Sequence, residues 1–147
     1  FDQNVVYTFH KYWTATDAGV IREYLDFREK YHVPIWLGES GENKDDWIAA
    51  FTKTLEDYHV GCGYWPYKKI DATSSVLTFN RPQGWDQVVA LGAMQAGTGN
   101  AEKRIAARPS PEETQATFDD LLKQVQFANE RVNDGYVKAL GLTQPTK

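Results

Sequence analysis

Cysteine is almost missing from this chain of 147 residues: Cys62 stands alone, so no internal disulfide can form and no disulfide framework organises the fold. With no partner thiol, Cys62 does not report the redox compartment, and it reads as a small buried residue. Histidine is scarce as well. His10, His32 and His59 are too far apart for a local metal-binding motif, and no metal or other cofactor is expected. No excess of positive charge exists: 16 Lys and Arg against 20 Asp and Glu leave a net charge of −4 and a pI near 5.3. That balance argues against nucleic acid or an anionic membrane surface as partner, since either calls for a basic face. No apolar run approaches the ~20 residues of a membrane-spanning helix. The start, Phe1-Asp2-Gln3-Asn4, does not read as a signal peptide. Gly61-Cys62-Gly63 is too short for a phosphate-binding glycine loop, and no helix start follows it.

Aromatic residues, by contrast, are plentiful. Five Trp, eight Tyr and seven Phe make up 14% of the chain, enough to fill a core and still leave flat faces for ring-shaped ligands such as sugars. Their spacing gives an α/β reading. Val5-Val6-Tyr7-Thr8-Phe9 is β-branched and aromatic, as a buried strand is. From Asp17 to Tyr31, Val20, Ile21, Tyr24, Leu25 and Phe27 recur at helical spacing, with Thr16 or Asp17 as cap. Val33 to Gly38 reads as a second strand, and Asp45 to Tyr58 as a second helix whose apolar face holds Trp47, Ile48, Phe51, Leu55 and Tyr58. Val60 to Trp65 is a third strand, its two glycines marking a close backbone approach. Strands alternating with helices of this length predict βαβ units and a parallel sheet with right-handed crossovers. Beyond Trp65 the pattern loosens. Thr73 to Phe79 is short and apolar, Gly84 to Leu91 is helical, and Gln95 to Ala107 reads as a loop with some helical turns. Ser110-Pro111-Glu112-Glu113 predicts a capping box that opens a helix to about Ala128, and Gly135 to Leu140 a last short helix. No low-complexity linker breaks the chain, so one domain over residues 1–147 is expected, with three βα units over about 4–93 and a helical tail over about 110–142.

The ends of the three strands carry the chemistry. His10-Lys11-Tyr12-Trp13 ends the first, Gly38-Glu39-Ser40-Gly41 the second and Tyr64-Trp65-Pro66-Tyr67-Lys68 the third. His10 and Tyr12 are two residues apart, so a strand would present both on one side. This order and spacing resemble the last three strands of a family 5 glycoside hydrolase, one of the cellulase-like (β/α)8 barrels. The likeness covers Asn4 to about Val89, and the stretch from Phe127 to Leu142 resembles the end of some bacterial members. The fold it implies is the C-terminal part of a TIM barrel, strands six to eight with their helices, followed by a helical tail. It implies that Glu39 is the catalytic nucleophile, that Tyr12 hydrogen-bonds Glu39, and that His10 belongs to the same site. Trp65 would stack on the sugar beside the scissile bond, with Tyr67, Lys68 and Trp13 in the binding surface. Barrel enzymes place such residues at the C-terminal ends of their strands. Trp36, Trp47 and Trp85 fall within the strand and helix patterns and read as core.

The chain departs from the family in one respect. Retaining glycosidases use two carboxyl groups about 5–5.5 Å apart, one as nucleophile and one as acid/base. The family's acid/base glutamate follows an asparagine on the fourth strand, upstream of the His-x-Tyr strand, where this sequence has no counterpart. Asn129-Glu130 is such a pair but lies downstream in the helical tail, so Glu130 is not the missing acid. The chain is therefore expected to be the C-terminal portion of a retaining β-glycosidase of the endo-β-1,4-glucanase type, inactive alone. Its partners would be a β-linked polysaccharide or oligosaccharide and the N-terminal portion of the same barrel, or a second copy. The resemblance implies a secreted or periplasmic setting. The alternative is a catalytically inactive sugar-binding or structural barrel fragment that needs a partner chain.

Overall fold

A computed structural model describes residues 2, 4–93 and 101–142. The first strand, β1, is Tyr7–His10. The helix expected from Asp17 divides in two: a 3₁₀ turn at Ala18–Ile21, then α1 at Arg22–Tyr31. The Asp17 carboxylate accepts from Gly19 N at 2.7 Å and so caps the turn. Gly19 and the β-branched Val20 and Ile21 are weak α-helix formers, which suits the tighter turn. Strand β2 is Ile35–Gly41, helix α2 is Asp45–Asp57 and strand β3 is Gly61–Trp65. Asp45 and Asp46 occupy the first turn of α2, where carboxylates oppose the positive end of the helix dipole.

The three strands form a parallel sheet in the order β1-β2-β3. One face of it is dry. Phe9, Ile35 and Leu37 from the strands join Ile21, Leu25, Phe51, Leu55 and Val60 in a single buried cluster, and Phe9 stacks on Tyr24 at 3.9 Å between ring centroids. Each such aliphatic side chain contributes about 1.5–3 kcal/mol by leaving water. The opposite face carries Trp36, which is 42% exposed, so the expectation that Trp36 is core is overturned. It alternates with the buried Ile35 and Leu37, and its ring lies where a Cβ at Gly61 would fall. Trp47 is packed as expected, its ring against Phe51 and its indole N–H on Thr14 O at 2.7 Å. Cys62 is half-buried rather than fully buried.

After β3 come β4, Lys68–Ile70, and β5, Leu77–Phe79; with β6, Arg131–Val132, they form a second sheet in the order β4-β5-β6. Where one domain is expected, the residues group into two compact units. One takes the described residues up to Thr78 and those from Val132 onward, and the other is Phe79–Arg131. The first unit includes α6, Asp134–Ala139, whose Tyr136 and Ala139 pack against Ile48 of α2 in a second buried cluster. The second unit holds helices α3, Trp85–Ala93, α4, Ala101–Ala106, and α5, Pro111–Gln124. The expected capping box opens α5: Ser110 Oγ accepts from Glu113 N at 3.1 Å and Glu113 Oε2 accepts from Ser110 N at 2.7 Å. The helix ends four residues before Ala128, where the Asn129 side chain donates to Lys123 O. Residues 95–100 of the expected loop lie outside the described residues, while 101–106 are α4. Among the described residues, no helix is long and apolar enough to cross a membrane.

Candidate active site

The register of β2 decides where Glu39 points. Leu37 pairs with Phe9 of β1, but the next pair is Glu39 with His10, so Gly38 is an extra residue on β2. On the other side, Leu37 pairs with Cys62 and Ser40 with Tyr64, again one residue more on β2. In a regular strand Glu39 would follow Leu37 into the core between sheet and helices, because side chains two apart share a face. The bulge turns it instead to the His10 side, as bulges re-aim side chains near functional sites. Gly38 permits this. A Cβ there would overlap the Thr8 hydroxyl and lie 3.3 Å from His10 Nε2.

Glu39 Oε2 lies 3.3 Å from His10 Nδ1, and the two side chains keep 36% and 56% of their surface exposed. Tyr12 donates its hydroxyl hydrogen to the Glu39 carboxylate. Burial, then the charges of Glu39 and Glu42, then this hydrogen bond raise the Tyr12 pKa above its usual value, so Tyr12 stays a donor. Lys11 N donates to Glu39 O at 3.2 Å and fixes the backbone between the two strand ends.

Two large aromatic faces stand open beside the pair. Trp65 ends β3, pairs with Gly41 in register and is 53% exposed. Trp13 is 70% exposed, tilts against Tyr12 at 5.8 Å, and donates its indole N–H to Glu42 O at 3.2 Å. The structure thus brings His10, Tyr12, Trp13, Glu39 and Trp65 to the C-terminal ends of three neighbouring strands. Tyr67 lines a cavity of about 260 Å3 with Thr52, Cys62 and Tyr64, on the helix side of β3. Lys68 is half-buried at the start of β4, where a binding loop is expected.

Several residues at the site carry no signal in the sequence. Glu42 follows Gly41 in the turn after β2, and its carboxylate forms an ion pair with Lys69 of β4, 27 residues away. Only the folded β4 reveals Lys69. Tyr136 of α6 is buried, and its hydroxyl has no hydrogen-bond partner among the described residues. Burial first, then Tyr12, Asp45 and Glu42, push that hydroxyl up to about 12. A Cβ on Gly41 would lie 3.2 Å from it, which places Tyr136 directly under the β2 turn. Glu130 belongs to the unit Phe79–Arg131 and not to the one that carries Glu39. Among the described residues, no group of three or more His, Cys, Asp or Glu is arranged to hold a metal ion.

No family model, no curated protein and no solved structure matches this chain.

Proposed function

We propose that this chain supplies the nucleophile side of a retaining β-glycosidase site, on three strands of an incomplete (β/α)8 barrel. The observation that carries this reading is the β2 bulge, which sets Glu39 against His10 and Tyr12 instead of in the core. A carboxylate oriented by a tyrosine donor and flanked by exposed indole faces is equipped to attack an anomeric carbon. In that step a Glu39 oxygen bonds to the anomeric carbon as the bond to the leaving oxygen breaks. An acid/base glutamate from the N-terminal portion of the barrel, or from another partner, protonates the leaving oxygen and later activates water. Trp65 and Trp13 offer apolar faces to the sugar rings. The substrate class is a β-linked glucan or related polysaccharide, met outside the cytoplasm.

The test avoids the need for the acid. A 2-deoxy-2-fluoro-β-cellobioside with a dinitrophenolate leaving group releases that group without protonation. It should add one fluorocellobiosyl mass to the peptide that contains Glu39, and add nothing to Glu39→Gln. The second reading is a sugar-binding piece without chemistry, and the open Trp13 and Trp65 faces favour it. Cellopentaose binding without labelling would select it, and neither binding nor labelling would reject both.

A further inference from the structure

Trp13 is an exposed side chain in an unfavourable backbone conformation, and something must hold it there. Its φ is +54°, in the left-handed region that costs a bulky residue energy. Its indole N–H donates to the carbonyl of Glu42, and Glu42 itself has a φ of +49°. Two non-glycine residues in left-handed backbone therefore hold each other. Glu42 in turn is held from outside: its carboxylate pairs with Lys69 Nζ, and that pair is only partly exposed, at 31% and 41% of side-chain surface. The connection runs from β4, through Glu42, to the indole plane beside Tyr12.

We propose that Glu42 and Lys69 are positioning residues that set the angle of Trp13 as a pyranose-stacking wall. The inference rests on the sugar-site reading. Neither residue touches the sugar in it. Lys69 fixes the Glu42 side chain, the Glu42 carbonyl fixes the indole, and the indole meets the ring face. An aromatic wall locked before the sugar arrives loses less freedom on binding than a mobile one.

The test uses the full chain, labelled with ¹⁵N, and follows the indole N–H resonances of its five tryptophans. Trp13→Phe identifies the Trp13 signal. Lys69→Met should move that signal and speed its solvent exchange, leaving the Trp47 signal, held by Thr14 O at 2.7 Å, in place. Cellopentaose affinity should fall about two- to five-fold, the range expected for loss of a partly exposed ion pair. Lys69→Arg should restore both the resonance and the affinity. If Lys69→Met fails to fold, Glu42→Gln breaks the same pair from the other side and should give the same shift. An unchanged Trp13 resonance overturns the proposal, and so does an equal movement of the Trp13 and Trp47 signals, which would mean general loosening. Absence of cellopentaose binding in the unmodified chain would instead defeat the sugar-site reading, while the resonance still reports on the tether.

Discussion

Glu39, Tyr12 and His10 meet through one hydrogen bond and one 3.3 Å approach, so single side chains carry sharp expectations. Glu39→Gln keeps the shape and removes the attacking oxygen anion. It should abolish labelling by the fluorocellobioside and leave cellopentaose affinity, read by calorimetry, within about two-fold. Tyr12→Phe removes a hydrogen bond to a charged group, worth about 1.5–3 kcal/mol. The labelling rate constant should therefore drop about ten- to a hundred-fold, and an unchanged rate would remove Tyr12 from the site. Tyr136 behaves differently. Its hydroxyl is buried without a hydrogen-bond partner among the described residues, so Tyr136→Phe should leave the urea-unfolding free energy unchanged or raise it by up to about 1 kcal/mol. The pH sign follows from its titration. The folded state holds the Tyr136 proton up to about 12, whereas tyrosine in the unfolded chain titrates near 10. The contribution is fully present below pH 10 and is lost as pH rises through about 12. Stability of the unmodified chain should fall over that window, and fall less steeply in Tyr136→Phe.

At the scale of elements, β2 matters most. A methyl at residue 38 would overlap the Thr8 hydroxyl and crowd His10 Nε2. Gly38→Ala should destabilise by about 1–3 kcal/mol. It should also reduce labelling of Glu39, because the overlap pushes at the bulge that aims it. Leu37→Ala, on the opposite face of the same strand, should cost about 2–5 kcal/mol in thermal or urea unfolding, since Leu37 is fully buried. The order of strands and helices through Trp65 was legible in the sequence because β-branched runs and helical apolar spacing are local patterns. The Ser110 and Glu113 capping box was legible for the same reason. The bulge was not: strict alternation places Glu39 with Leu37, and only pairing with two neighbouring strands exposes the extra residue. Trp36 misled because an aromatic in a strand pattern reads as core, whereas alternation sends it to the face opposite Leu37. The reach of Lys69 to Glu42 and the return of α6 beneath the β2 turn are long-range contacts with no local signal.

At the scale of the molecule, the parallel sheet is covered by helices on one face. Among the described residues β1 and β3 pair only with β2. Parallel sheets are ordinarily buried on both faces and avoid open edges. The proposed partner, the N-terminal part of the barrel or a second copy, would cover Trp36 and both edges. With a second copy as the partner, sedimentation of the purified 16.7 kDa chain should show a heavier species, whereas a lone monomer at all concentrations would exclude the second copy and leave the N-terminal part of the barrel. Whether β2 presents Glu39 as a nucleophile is read by mass spectrometry after treatment with the activated fluorocellobioside. One covalent sugar is expected on Glu39 and none on Glu39→Gln. A fully folded chain that binds cellopentaose yet carries no label at Glu39, or carries it elsewhere, would contradict it.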